Sequence, residues 1–248
     1  MSDFVVVIPS RYASTRLPGK PLREINGKSM LEHVHERAME SGAREVVIAT
    51  DDERIAEAAE AFGGRVCMTG NQHRSGTERI AEVCDLMDWS DDGIVVNLQG
   101  DEPAMPPALI DQCAGLLQQS SADIATLASP LTSQDDFENP NIVKVILDDE
   151  GRAIYFSRAA IPYTRVDSQK DVARSAALHH HGIYAYRCGV LRQLVAADPS
   201  DLEVCEQLEQ LRALSLGMTI RVAIPSERPG IGVDTEDGLA AVAEQLPH

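Results

Sequence analysis

Five short apolar runs, rich in β-branched residues and separated by amphipathic stretches, constrain this chain more than any other feature. They are residues 4–8 (FVVVI), 46–50 (VVIAT), 66–68 (VCM), 94–99 (IVVNLQ) and 124–129 (IATLAS). Between them the spacing predicts helices. In 29–41, Leu31, Val34, Ala38 and Met39 recur near helical spacing, with Ser29 as N-cap and Gly42 as stop. Helices are also expected at 52–62, closed by Gly63 and Gly64, at 76–88, and at 108–120 after Pro106 and Pro107. Strands alternating with helices of this length imply βαβ crossovers. Strands apolar along their whole length imply a mostly parallel sheet covered on both faces. The fold class read from this pattern is α/β.

The second half is less regular. Strand-like pieces lie at 144–147, 153–156, 181–186 and 219–224, with helices near 188–197, 201–216 and 235–246. The polar stretch 165–177 is a candidate mobile loop. There is no clean linker, internal repeat or low-complexity segment. A single domain over 1–248 is expected, a length ample for one large core.

One segment stands out chemically. From Phe4 to Arg23 the chain carries Arg11, Arg16, Lys20 and Arg23 and no acid, although the whole sequence has 22 Lys+Arg against 39 Asp+Glu, a net charge of -17. So acidic a chain is ill suited to nucleic acid or an anionic membrane, both of which call for a broad basic face. A local pocket for a small anion remains open. The loop 9–22 follows the first strand, and QGDEP (99–103) follows the fourth. Sheets of this type bind ligands beyond those strand ends. The G-x-x-x-x-G-K-[ST] pattern fails here, since no glycine lies earlier in the loop and Pro21 follows Lys20. G-x-G-x-x-G is also absent. What remains is Arg11, Arg16 and Lys20, interspersed with Ser10, Ser14 and Thr15 and stiffened by Pro18–Gly19. Guanidinium forks match phosphate oxygens in two-point geometry, and lysine adds a mobile point charge. Together they suit a triphosphate and the charge that develops on leaving pyrophosphate.

The stretch R-x-x-S-T-R-L-P-G-K-P-L after an opening strand resembles the signature of the CMP-sugar synthetases. The resemblance continues through ATDDERI (49–55), HRSGTERIAEV (73–83), VNLQGDEP (96–103), YFSRAAIPYTR (155–165), HGIYAYR (181–187), LEQLRAL (208–214) and GVDT (232–235). Taken in order, these segments are similar to the 3-deoxy-manno-octulosonate (KDO) cytidylyltransferases. The resemblance implies a three-layer, Rossmann-like nucleotide-diphospho-sugar transferase fold, with a nucleotide-binding half at 1–130 and a sugar-binding and dimerisation half at 131–248. It also implies transfer of CMP from CTP to KDO with release of pyrophosphate, Mg²⁺ as cofactor, a homodimer, and a product used in lipopolysaccharide biosynthesis. The neighbouring possibilities are the same reaction on an 8-amino KDO analogue, CMP-N-acylneuraminate synthesis, or a catalytically silent nucleotide-binding scaffold of the same fold.

Carboxylates in a site built for anions make sense if the triphosphate arrives with Mg²⁺, which takes one or two carboxylates and fills its shell with phosphates and waters. Asp101 sits at a strand's carboxyl end on the pattern alone. Asp234 is paired with it as a metal ligand only through the resemblance; the residues by themselves favour a helix N-cap near Thr235. The family usually reads VDTPEDL there and this chain reads VDTEDGL. Ser75, Gly76 and Thr77, at a helix start, are candidate contacts for base or ribose, and Ser75 with Glu78 equally fits a capping box.

A sugar acid needs a cation for its carboxylate, a role that Arg158 and Arg165 fit. The resemblance adds Gln99, His180, Tyr184, Glu209 and Gln210 as sugar contacts. Alternation in a strand would put His180, Tyr184 and Tyr186 on one face and His179 and His181 on the other. The triplet His179–His181 lacks the partner cysteines or spaced histidines of a zinc site and reads as surface or sugar contact. On helical spacing alone, Leu208 and Leu211 are core while Glu209 and Gln210 face solvent. Five widely spaced cysteines, with no C-x-x-C, are expected as free thiols. With no basic segment before the first apolar run and no stretch of membrane-spanning length, a soluble cytoplasmic protein is expected.

Overall fold

The structure, a computed structural model, describes residues 3–13, 17–233 and 235–246. Its first half runs β1 (Phe4–Pro9), a short hairpin of β2 (Glu24–Ile25) and β3 (Lys28–Ser29), α1 (Met30–Met39), β4 (Glu45–Thr50), α2 (Glu53–Ala61), β5 (Arg65–Met68), α3 (Gly76–Leu86), β6 (Ile94–Asn97), α4 (Pro107–Gln118) and β7 (Ile124–Pro130). Then follow α5 (Gln134–Glu138), β8 (Lys144–Leu147), β9 (Ala153–Ser157), α6 (Lys170–Ala176), β10 (Ala177–Arg187), α7 (Cys188–Ala196), α8 (Asp201–Glu206), α9 (Gln210–Ser215), β11 (Ile220–Ala223) and α10 (Glu236–Ala243).

Strand β1 shows why the layers form. Val5 and Val7 point into one core with Ile80 and Cys84 of α3 and Leu191 and Leu194 of α7. Phe4, Val6 and Ile8 point into the other, with Leu31 and Val34 of α1, Ile55 of α2 and Leu109, Ile110 and Leu117 of α4. Each such side chain, fully buried, contributes roughly 1.5–3 kcal/mol. A smaller cluster of Leu17, Ile25, Met30, Val233, Val242 and Leu246 fastens α10 beneath the loop that follows β1. Arg23 adds a two-point ion pair to Glu236, at 2.7 and 2.9 Å. The cationic loop is thus anchored by the far end of the chain.

The sheet order is β11-β7-β10-β6-β1-β4-β5. β1 is parallel to β4 and β6, β4 to β5, and β11 to β7, whereas β10 runs antiparallel between β6 and β7. Tyr184 faces Asn97 and Arg187 faces Ile94 in this pairing. The amino end of β10 therefore lies at the carboxyl end of β6. Before that, β10 pairs with β8 from Ala177 to His179, and its register against β7 shifts between His180 and Tyr184. The strand changes neighbours at this irregularity, beside the loop that follows β6.

Several expectations need correction. The stretch 165–177 is not a bare loop: a 3-10 turn at Asp167–Gln169 leads into α6. Ala173 of α6 packs with Leu131, Phe137 and Ala177 of β10, small apolar contacts masked by the polar residues around them. The single helix read at 201–216 is two, because Gln207 takes φ +52° between α8 and α9. Strand 181–186 extends back to Ala177. The β2–β3 hairpin, turning on Asn26–Gly27, and the short α5 were not foreseen. Among the described residues no helix is long and apolar enough to cross a membrane.

Candidate active site

The loops after β1 and β6 meet. Gly100 lies so close to the first loop that a Cβ there would stand 3.0 Å from Ser10 Oγ and 3.2 Å from Pro9 O. Only glycine permits this approach without displacement. Gly76, the first residue of α3, comes as close from the other side: a Cβ would meet Pro9 Cγ at 3.1 Å. These contacts shape a cavity of about 250 Å³ lined by Ser10, Arg11, Lys20 and Pro21, by His73, Arg74, Ser75, Gly76 and Arg79, and by Gln99, Gly100 and Asp101.

Its charge is arranged around one acid. Lys20 Nζ lies 2.7 Å from Asp101 Oδ2, with the lysine side chain 13% exposed and the aspartate 36%. Arg79, buried, donates to Thr69 Oγ1 at 2.5 Å and pairs with Asp51 at 2.9 Å. Arg74 is exposed and pairs with Glu78 at 2.8 Å; His73 pairs with Glu82. Arg11 is exposed at the mouth. The loop is braced by Tyr12, against whose ring the Arg54 guanidinium packs at 3.4 Å, itself held by Asp52. Ser10 Oγ is buried and, among the described residues, has no hydrogen-bond partner. A buried hydroxyl without a partner carries a desolvation cost.

At the α3 end, Ser75 accepts a hydrogen bond from Glu78 N at 3.2 Å and so caps the helix. Glu78 reaches Arg74 N instead of Ser75 N, so the expected capping box is only half made. The capped N-terminus presents a favourable potential to anions.

The donor set fits Mg²⁺. Asp101 offers a partly exposed carboxylate among cations that suit phosphates. Mg²⁺ requires only one or two carboxylates when phosphates and waters complete its shell. Among the described residues no group of three or more His, Cys, Asp or Glu could hold a metal ion by itself, the histidine triplet included. Val233 N donates to Asp101 O at 2.8 Å, which brings Val233 beside Asp101. Asp234 itself, with Ser14 and Arg16 of the cationic loop, lies outside the described residues.

The structure thus gathers Ser10, Arg11, Lys20, Ser75, Gly76, Gln99 and Asp101 in one cavity. His73, Arg74 and Arg79 also line it, and sequence reasoning did not select them. Thr77 is buried behind the lining. His180, Tyr184 and Tyr186 form a file on one face, with centroid spacings of 5.2 and 5.6 Å, and His179 and His181 pair on the other at 4.8 Å. His180 Nε2 lies 3.1 Å from Thr126 Oγ1. Burial, with the neighbouring histidines adding to it, pulls His180 down to about 3. It is neutral at physiological pH and meets Thr126 as a neutral imidazole. Glu209 accepts from Ser75 and Thr77, so its helical-spacing reading as a solvent residue is corrected. Gln210 follows at the first turn of α9. Arg158 donates to the carbonyls of Glu206 at 2.8 Å, Pro140 at 3.2 Å and Gln207 at 3.5 Å, fixing its fork on the α8–α9 turn. Arg165 is exposed and lines a different, shallower cavity with Tyr163, Val166 and Val172.

Residues 5–220 match a family model described as Cytidylyltransferase. A solved structure of CMP:2-keto-3-deoxy-manno-octonic acid synthetase complexed with CTP is 42% identical, with a TM-score of 0.88 over 99% of this chain and 100% of that one. Two more distant structures share the fold. A cytidylyltransferase from Leptospira borgpetersenii serovar Hardjo-bovis (strain JB197) is 17% identical, with a TM-score of 0.62 over 98% of this chain and 85% of that one. A 4-diphosphocytidyl-2C-methyl-D-erythritol synthase is 18% identical, with a TM-score of 0.63 over 97% of each chain.

Proposed function

The chain belongs to the cytidylyltransferase family, and from that premise we propose that it activates 3-deoxy-D-manno-octulosonate with CTP, yielding CMP-KDO and pyrophosphate. The observation that carries this reading is the near full-length similarity, at 42% identity, to a KDO-activating synthetase that holds CTP. The cavity is chemically suited to that nucleotide: Arg11, Lys20, Arg74 and Arg79 line it, with Ser10 beside them.

In the reaction the anomeric C2 hydroxyl of KDO attacks the α-phosphorus in line and gives up its proton to solvent water, a P–O bond forms, the bond to the β-phosphate oxygen breaks, and pyrophosphate departs with the electron pair. Such transfers depend on positioning and charge neutralisation more than on covalent help. Arg11, Arg16 and Lys20 hold the triphosphate and stabilise the charge gathering on pyrophosphate. Ser10, Ser14, Ser75, Gly76 and Thr77 complete the nucleotide site. Asp101 and Asp234 would hold Mg²⁺, which when bound would supply Lewis-acid neutralisation of the phosphates. Gln99, Arg158, Arg165, His180, Tyr184, Glu209 and Gln210 receive the sugar acid. The active unit is a cytoplasmic homodimer, and the product supplies lipopolysaccharide assembly.

The test is pyrophosphate release with CTP and Mg²⁺ against three acceptors: KDO, its 8-amino analogue and N-acetylneuraminate. KDO is expected to support turnover far above the others. Activity confined to the 8-amino sugar or to N-acetylneuraminate would reassign the substrate, and none with any would make the protein a silent scaffold.

A further inference from the structure

Glu209 is claimed from two directions. As a residue of the proposed sugar wall it should face the acceptor, yet both of its carboxylate oxygens are taken by hydroxyls from the nucleotide side. Ser75 Oγ donates to Oε1 at 2.8 Å and Thr77 Oγ1 donates to Oε2 at 2.5 Å. Ser75 is also the N-cap of α3, the helix whose first residues border the cavity. Thr77 is 3% exposed, and besides Glu209 it engages the Tyr186 phenol at the end of the aromatic file on β10. Glu209 does not line the cavity. Its own place is fixed by neighbours: buried Leu208 and Leu211 flank it, and Arg212, 5% exposed, lies 4.0 Å away while holding Glu203.

We infer that Glu209 is a positioning residue for the nucleotide. It holds Ser75 and Thr77 and thereby sets the N-terminus of α3 against the phosphate-binding loop. The inference rests on reading the cavity as the CTP site. A carboxylate accepting two hydroxyl hydrogen bonds across a tertiary contact fixes the helix end in position and direction, and preorganisation of this kind is gained before ligand arrives. A residue serving the sugar alone would leave CTP affinity unchanged when sugar is absent.

The experiment is isothermal titration of CTP with Mg²⁺, without sugar, into the full chain as wild type, Glu209→Ala, Glu209→Gln, Thr77→Val and the Glu209→Ala/Thr77→Val double variant. Thermal melts run in parallel. Loss of hydrogen bonds to a charged group should weaken CTP binding of Glu209→Ala by about tenfold or more. Thr77→Val should act in the same direction, and the double variant should be no worse than the weaker single, as expected for two ends of one link. Glu209→Gln should recover part of the affinity, because its amide oxygen still accepts one hydroxyl. If Glu209→Ala melts far below wild type, the near-isosteric Glu209→Gln carries the comparison, with CTP affinity still expected below wild type. Wild-type CTP affinity in Glu209→Ala and Thr77→Val, or losses that simply add, would overturn the inference alone. A wild-type protein that binds no CTP would overturn the nucleotide reading and the inference with it.

Discussion

Lys20 and Asp101 meet at 2.7 Å across the cavity, joining the loop after β1 to the loop after β6. In the proposed reaction the two serve different charges, the lysine the phosphates and the aspartate Mg²⁺. Replacing either should therefore harm catalysis more than folding. Lys20→Ala and Asp101→Ala are each expected to lower kcat/KM by about a hundredfold or more, the scale on which one stabilising group aimed at developing charge acts. Pyrophosphate release and a thermal melt measure the two effects, and full activity in both variants would remove this cavity from the chemistry. Lys20 and Arg11 were legible because their stretch carries no acid. Arg74 and Arg79 escaped the same scan because Glu78 and Glu82 sit among them in sequence. In three dimensions the pairing of Arg74 with Glu78 still leaves its guanidinium at the cavity wall. Local charge balance along the chain hides cations that the fold brings to one place.

At the scale of elements, β10 carries the most that sequence could not give. Its alternation was readable, and the face occupied by His180, Tyr184 and Tyr186 agrees with it. Its irregular register against β7 was not readable, since only the change of neighbour from β8 to β6 explains it. The same holds for the α8–α9 break: periodicity through LEQLR is helical, and only a left-handed Gln207 shows the turn. Strand β10 also carries a pH dependence. Burial, with His179 adding to it, pulls His181 down to about 4, and its Nε2 lies 2.7 Å from Ser129 Oγ. In the unfolded chain the group titrates near 6.5. Below that value the unfolded state takes a proton that the folded state refuses, so stability is full above 6.5 and declines as pH falls toward 4. Melting curves from pH 7 to 4.5 should show a shallower decline for His181→Leu than for wild type. Parallel curves would mean that His181 titrates alike in both states.

The whole molecule joins its two halves inside one sheet, since β10 from the second half lies between β6 and β7 of the first. The alternating pattern made the parallel part of that sheet legible. The antiparallel insertion was not, because pairing partners far apart in sequence leave no local trace. The second half also exposes apolar side chains, with Ile154 58%, Tyr163 86%, Val166 50% and Val172 66% exposed. For the proposed homodimer, sedimentation equilibrium should return twice the 26.9 kDa chain mass, and the monomer mass at micromolar concentration would remove that proposal.

The reversed central strand also sets a timetable. When residue 130 has been synthesised, β6 and β7 both exist, but the strand that lies between them does not. Each then presents an open edge, the kind of surface that recruits stray strands. At roughly 5–20 residues per second, the ribosome needs on the order of three to eleven seconds to reach residue 187 and complete β10. Through that interval the nascent chain already carries Arg11, Lys20 and Asp101 of the cavity, yet lacks the aromatic file of β10 and the Glu209 that holds Ser75 and Thr77. The loops after β1 and β6 are made first and β10 last, so a chain cut short before β10 carries its cavity loops on an unclosed sheet and is a ready target for chaperones and proteases.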